Sequence, residues 1–599
     1  MTIPRTDMRT SFLIPVYNTD LAILRLCINS ALKAAGDEHE VVVVDDASSR
    51  AETREFLSRC EASGFDNLTV LRNAENCGVS YSLNKAVANA VGDVCAPIDH
   101  DDMVVPAGFQ QMLLYIEYHG VNWAYSDELQ ITYQGVPRGF MHKPDYSCQL
   151  LRSVMYINHL QLISKDLFQI VGGYREGFEG SQDHDLALRM SERISPAHID
   201  VVAYLWRRGA ISQSVSYGQI SDASIEASCR AIDEHFGRLA LTAEVKSVDL
   251  APLPELSAQP TGTFISRILP QTVPKVSIII PCRLGTTTTV DSVEITVLEH
   301  CLQSIRRTLP AVDSHTLESP PLEIILVMNH ENSLEEGRLL IKFFDLDGIV
   351  ICDEPGFNFA RKCNLGVQQS SGDILVFIND DTDIQTSGWT SHIISLLEED
   401  DVACVGGMLL NADRTVQSCG DNIGRNSAVH YVPNTSASST GDMMHRYIAD
   451  HETTSVTGAF LCCKKDTFMN LDGFSTVFPN SFQDVDFCLR ARANGLRCII
   501  SPHIRLLHFE SVSRNPNVDT ATLWTIRKIH QSVMANVDPY ALYKYEKSKV
   551  SFFTRTGLRH YMLRVYIAMR RVAFIILVWL KPGPQHPRKI LEKSEWRIH

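Results

Sequence analysis

Gly92-Asp93-Val94-Cys95-Ala96-Pro97-Ile98-Asp99-His100-Asp101-Asp102 is the stretch that decides the reading of this chain. It returns as Gly372-Asp373-Ile374-Leu375-Val376-Phe377-Ile378-Asn379-Asp380-Asp381. In each copy a Gly-Asp turn opens a short apolar run of strand length, and the run ends in a knot of acids. Upstream of each lies an apolar strand closed by proline, Phe12-Leu13-Ile14-Pro15 and Ile278-Ile279-Ile280-Pro281. Downstream come Gln182, Asp183, Asp185 and Arg189, matched by Gln483, Asp484, Asp486 and Arg490. The offset between equivalents grows only from 266 residues at the prolines to 301 at the Gln-Asp motifs, the mark of two homologous domains.

Around these anchors the first half alternates β-rich runs (Phe12 to Pro15, Val41 to Asp45, Leu68 to Leu71, Val94 to Ile98) with helical segments (Leu21 to Ala35, Ala51 to Glu61, Ser80 to Val91). Such alternation predicts an α/β fold with a parallel, doubly wound sheet. Ligands of such sheets lie beyond the carboxyl ends of the strands, where Asp45, Asp46, Asp99, Asp101 and Asp102 fall. The second half repeats the order with Val276 to Pro281, Glu323 to Val327, Ile349 to Cys352 and Ile374 to Ile378. The expected division is 1–250, a Pro-rich semi-rigid linker over 251–275, a second domain over 276–540, and a tail over 541–599.

The chain's 599 residues and 45% hydrophobic content suffice for two cores. A net charge of -15 argues against general nucleic-acid binding, which needs basic surface. The sixteen cysteines form no CxxC pair or zinc-type spacing and read as reduced packing residues of a cytoplasmic protein. From Ala541 to His599 the balance reverses to +10, and Arg564, Arg570 and Arg571 precede the apolar, Trp-bearing run Val572 to Leu580. Two readings of this tail stand side by side. One is a helix docked on the protein; the other is a peripheral anchor at the inner face of the cytoplasmic membrane.

The acids carry the chemistry. Two carboxylates at a strand end repel each other, and exposing them there makes sense if a hard cation, Mg²⁺ or Mn²⁺, links them to phosphate oxygens. Asp99 and Asp101 fit that role in the first half, with Asn379-Asp380-Asp381 in the second. With a cation on a leaving diphosphate, the reaction needs one further carboxylate to take a proton from an attacking hydroxyl. Asp183 and Asp484 are placed for it.

Together these motifs resemble family 2 glycosyltransferases of the GT-A fold (Rossmann-like, of the nucleotide-diphospho-sugar transferase kind). The likeness is strongest to the tandem bacterial enzymes of cell-surface polysaccharide and O-antigen assembly. It is carried by Pro15-Val16-Tyr17-Asn18, Val44 to Ser48, Ile98 to Asp102 and Glu179 to Asp185. In the second half it rests on Pro355 to Phe359, Asn379 to Thr382, Val456 to Ala459 and Gln483 to Asp486. The resemblance implies an inverting transferase with a nucleotide-sugar donor and a glycan or lipid-linked glycan acceptor. It implies Asp183 and Asp484 as catalytic bases. Donor contacts would come from Pro15, Tyr17, Asp46, Asp99, Asn329, Asn379, Asp380, Thr457, Gly458 and Ala459, and metal contacts from Asp99, Asp101, Asp381 and His508. In the first half Leu205 is expected where the family places its metal-binding histidine, so that site would lean on Arg207 or hold its cation weakly. Met328 stands where an acid commonly precedes Asn329. Arg361 and Lys362 are candidates for donor phosphates. Two rivals remain: a sugar-nucleotide nucleotidyltransferase, which should carry a Gly-rich basic loop where Pro15 to Asn18 stand, and a first half that binds glycan without catalysis.

Overall fold

A computed structural model describes residues 8–208, 221–248, 262–290, 293–309, 320–354, 356, 358–423, 428–430, 435–436, 445–509, 520–534 and 538–540. The basic tail therefore lies outside the described residues, as do Pro355 and Phe357 of the Pro355 to Phe359 motif.

The first half is one sheet of nine strands: β1 (Thr10–Val16), β2 (Glu40–Asp45), β3 (Leu68–Arg72), β4 (Val94–Pro97), β5 (Met103–Val104), β6 (Trp123–Thr132), β7 (Pro137–Met141), β8 (Gln161–Ser164) and β9 (Ala197–Arg208). Their order is β3-β2-β1-β4-β8-β6-β9-β5, with β7 beside β6. Strands β1 and β2 are buried along their whole length, which is why they read as unbroken apolar runs. The helices Leu21–Ala35, Ala51–Glu61 and Gly78–Asn89 follow the predicted segments closely.

A hairpin of β10 (Ala243–Ser247) and β11 (Phe264–Ile268) precedes the second sheet. That sheet comprises β12 (Val276–Pro281), β15 (Leu322–Met328), β16 (Gly348–Cys352), β17 (Ile374–Ile378), β18 (Thr382–Ile384), β19 (Val402–Leu410), β20 (Thr415–Ser418), β23 (Thr435–Ser436), β24 (His451–Thr453), β25 (Phe460–Lys464) and β26 (Arg497–His508). Two small hairpins, β13 (Thr287–Val290) with β14 (Val293–Thr296) and β21 (Asp421–Ile423) with β22 (Ala428–His430), stand apart from it. Its order β16-β15-β12-β17-β25-β19, with β26 beside β19 and β18 beside β26, repeats the first sheet.

The sheets are not wholly parallel, as the alternation led one to expect. Strand β8 runs antiparallel to both β4 and β6, and β25 likewise to β17 and β19. Each enters the sheet from the acid-bearing end. This reversal places the loop before β8 or β25 beside the acids that end β4 or β17.

The repeated Gly-Asp has a packing cause. A Cβ on Gly92 would lie 2.5 Å from Ser11 Oγ and 2.8 Å from Arg9 O, and one on Gly372 would meet Ser277 Oγ and Lys275 O at the same distances. The aspartates then tie their strands to β1 and β12: Asp93 and Asp373 each accept the N–H of Arg9 or Lys275 at 3.0 Å.

The expected linker over 251–275 is partly a docked element. Within it, Phe264 and Ile268 are buried, Ile268 N–H donates to Ser395 Oγ at 2.7 Å, and Thr263 Oγ1 pairs with His445 at 2.8 Å. The halves also meet at the short helix Cys148–Ser153. Its first turn faces Glu452 of the second half, whose carboxylate, 1% exposed, accepts from Ser147 Oγ and from the Gln149 N–H at 3.0 Å. Arg497 binds Glu452 at 3.0 Å, Glu399 at 3.2 Å and Asp401 at 2.6 Å, while Arg152 of the first half reaches Glu399 at 2.7 Å. Removing Arg497 would leave the buried carboxylate of Glu452 without its cation, whereas Glu399 keeps Arg152. Arg497→Ala is expected to cost about 3–5 kcal/mol and to lower the thermal midpoint read by calorimetry. The exposed control Arg54→Ala should leave it unchanged.

Candidate active sites

In the first half the end of β4, the loop before β8 and the helix Gln182–Ser191 converge on one cleft. Pro15, Asp99, Asn158, His159, Gln182 and Asp183 line it. Tyr17, just beyond β1, is half-buried and outside that lining. His159 Nε2 lies 3.2 Å from Asp99 Oδ2. Although burial works the other way, this partner holds Asp99 below the usual carboxylate range. In turn Asp99 overcomes the burial of His159 and pushes it up to about 9. Burial, and after it the charge of Asp99, raises Asp183 to about 6; the hydroxyl of Tyr174 and the Gln182 amide, at 3.0 Å, bond its carboxylate.

In the second half Asn379, Asp380 and Asp381 end β17 and His508 ends β26. His508 Nε2 is 3.2 Å from Asp381 Oδ1 and 3.3 Å from the Asn379 amide nitrogen. Its Nδ1 faces Gln417 Oε1 at 2.7 Å, and the Gln417 amide nitrogen is spent on Asn411 Oδ1 and His508 O. Gln417 Oε1 therefore accepts a hydrogen bond from the Nδ1 N–H, which leaves Nε2 as the ring nitrogen facing Asp381. Asp381 is 7% exposed, and its Oδ1 receives no hydrogen bond among the described residues. Two electron-rich atoms facing each other in a buried corner suit a shared cation. Asp380 accepts the Arg283 N–H at 3.0 Å, and burial, then Asp381, raises it to about 7.

The loop Thr457-Gly458-Ala459 joins the two sides of this cleft. Ala459 O accepts the Asn379 N–H at 3.1 Å, and the Gly458 N–H donates to Asp484 Oδ2 at 2.6 Å. Burial raises Asp484 and the Gly458 bond opposes that rise.

Several expected roles change. Met103 pairs with Leu205 and Thr382 with His508, so the residue matching His508 is Trp206. Leu205 points to the opposite face and packs on Val105, Leu129, Ile131 and Val202; the register differs by one residue, and alternate strand residues face opposite sides. Arg207, 1% exposed, donates from its backbone to Asp102 Oδ1 at 2.6 Å and from Nε to Asp101 O at 2.7 Å, so it braces the acid turn. At this strand end the compact group among the described residues is Asp99, Asp102 and His159; Asp101 lies outside it. Asp46, expected at the base, is 4% exposed, and its oxygens are taken by Asn73 Nδ2 at 2.7 Å and by the Cys77 and Gly78 N–H groups at 2.8 Å. It thus holds the loop beside that position. Asn329 lies at the matching place, where Asp353, bonded to Arg361 Nε at 2.9 Å, supplies the acid. Arg361 is spent there, and the ammonium of Lys362, 1% exposed, bonds Val327 O at 3.0 Å; neither is offered to a phosphate.

Sequence reasoning passed over His159, Gln417 and Asp353. Lining up the halves on Lys165 and Lys465, whose N–H groups bond Asp93 O and Asp373 O, would have set His159 against Ala459.

Two sheets of this order, each with acids at the strand ends and a further carboxylate on a facing helix, have the build of GT-A glycosyltransferases. Residues 11–156 and 277–437 match the model of Glycosyl transferase family 2, together just over half of the chain, and the chain belongs to that family. It is 30% identical over 521 residues to the O-antigen biosynthesis protein RfbC of Myxococcus xanthus, covering 86% of this chain and 38% of that protein. It is 30% identical over 516 residues to the uncharacterized protein y4gI of Sinorhizobium fredii, covering 84% of this chain and 53% of that one. The chain thus spans about half or less of these relatives' length. Among solved structures, S. aureus TarS 1-349 in complex with UDP-GlcNAc aligns with a TM-score of 0.32 and 19% identity, over 38% of this chain and 66% of that one.

A Cβ at residue 458 would stand 3.3 Å from Asp484 Oδ2. Gly458→Ala should displace that carboxylate and lower second-half turnover roughly tenfold, since small misplacements of reacting groups are costly. Steady-state kinetics with an unchanged circular dichroism spectrum checks this.

Proposed function

We propose that this glycosyltransferase moves sugars from nucleotide-sugar donors onto a growing bacterial surface glycan, free or lipid-linked, with inversion at the transferred carbon. The observation that carries it is the second-half cleft, where Asp381 and His508 face each other across from Asp484, held by Gly458. Asp381, His508 and Asn379 would hold a Mn²⁺ or Mg²⁺ ion, which when bound neutralises the diphosphate so that it leaves without a proton. Asp484 then receives the proton of the acceptor hydroxyl; burial raises its proton affinity, and the Gly458 and Val485 N–H groups that bond its two oxygens hold the rise in check. Asp380 and the Thr457 to Ala459 loop bound the donor side. In the first half Asp183 takes the role of base, with Asp99 across the cleft. The relative named for O-antigen biosynthesis supports the surface-glycan acceptor, and nucleotide-sugar chemistry suits the cytoplasmic face. Among the described residues no helix is long and apolar enough to cross a membrane.

A panel of nucleotide sugars with Mn²⁺ tests the reading. Asp484→Asn should lower second-half transfer by about 10²-fold or more and Asp183→Asn should do the same for the first half. If Asp183→Asn leaves every product unchanged, the first half binds glycan without catalysis.

The pH profile separates the halves further. In an Asp484→Asn background only Asp183 acts as base, and burial with Asp99 has raised it to about 6. A base works ionised, so first-half kcat/KM should climb as pH rises through about 6 and level off above it. A flat profile from pH 5 to 7 would remove Asp183 from that role.

A further inference from the structure

We propose that His159 is the imidazole ligand of the first half's cation site, standing on the opposite side of the acids from its second-half counterpart His508. The inference rests on the reading that each strand end holds a divalent cation.

The strand that supplies His508 in the second half has nothing to offer in the first. Trp206 occupies that register position, and an indole N–H is a donor with no lone pair for a metal. Across the cleft the exchange runs the other way: His159 stands where the second half has Ala459. One half carries its imidazole on the last strand, the other on the loop before β8.

The local geometry is that of a ligand set. One donor atom each of Asp99, Asp102 and His159 lies within 4.8 Å of the others. Asp102 is 1% exposed; its Oδ1 accepts the Arg207 N–H at 2.6 Å while its buried Oδ2 has no partner among the described residues. A carboxylate oxygen left bare in the interior is costly unless something positive meets it.

His159 is also held in one orientation. Lys143 Nζ bonds its carbonyl at 2.7 Å and Glu128 at 3.2 Å, and both side chains of that ion pair are fully buried. The imidazole stacks on Tyr204 with ring centres 4.5 Å apart and planes 14° apart, and the Tyr204 hydroxyl accepts the Asp99 N–H at 3.1 Å. One tyrosine thus positions both the ring and the acid. Glu128 lies 4.0 Å from Nδ1, on the side away from Asp99, leaving Nε2 toward the acids. Two carboxylates with one imidazole favour Mn²⁺ over Mg²⁺, which prefers an all-oxygen shell.

The full chain, titrated with Mn²⁺ in the presence of UDP and followed by electron paramagnetic resonance, tests this. Two bound equivalents are expected, each with nitrogen coupling in the pulsed spectrum. In a His508→Gln background one nitrogen-coupled equivalent should persist. Adding His159→Gln should abolish the coupling and weaken that site about tenfold or more. His159→Asn serves as a second variant, and circular dichroism must match the parent. If His159→Gln leaves both equivalents and their coupling intact, the proposal is overturned while the cation reading stands. If His508→Gln alone removes all bound Mn²⁺, the imidazole of His159 acts as a cation toward Asp99, and the proposal again falls. Absence of any bound Mn²⁺ in the parent chain would overturn the cation reading of both halves together with it.

Discussion

Negative charge crowded at the carboxyl edge of a sheet is the constraint to which the rest of this molecule answers. Asp99, Asp101 and Asp102 end one strand, and Asp380 and Asp381 end its counterpart. Each cluster sits where parallel strands stop. Like charges this close raise one another's proton affinity, visible in the upward shifts of Asp101, Asp102 and Asp380, in which burial leads and neighbouring acids follow. Against them the fold sets the Arg207 and Arg283 N–H groups, His159 and His508.

The two halves solve the same electrostatic problem with parts moved across the cleft. The imidazole comes from the β8 side in one and the β26 side in the other. Beside the base position a similar exchange occurs: the first half pairs an acid after β2 with an amide after β3 (Asp46 with Asn73), and the second has an amide after β15 (Asn329) and an acid after β16 (Asp353). Total charge and hydrogen-bonding capacity are nearly kept while the residue types trade places. Duplicated sites relieved of identical duties can drift in this compensated way, because removing one partner alone would leave a buried group unpaired.

The halves are also bound to each other through buried polar contacts. Glu452 receives the first turn of the helix Cys148–Ser153, and Arg497 and Arg152 share Glu399. Such contacts need defined geometry to offset desolvation, so they fix the relative placement of the two sheets more strictly than an apolar seam would.

Recurring motifs disclosed the duplication and the rim of acids, and hydrophobic patterning disclosed the first strands and helices nearly to the residue, since a parallel strand buried on both faces must be written as an unbroken apolar run. The antiparallel entry of β8 and β25 was not legible, because a strand of four or five residues carries no mark of its direction. Nor was the register at Leu205 and Trp206: a shift of one residue exchanges the faces of a strand without changing its composition. The sequence by itself determined that two acid-tipped α/β domains would form, through local patterns of burial and turn chemistry. The family resemblance had already set His508 beside Asp381; only the tertiary structure decided that His159 meets Asp99, because the two are 60 residues apart and long-range pairing is set by strand order and register that no local pattern encodes.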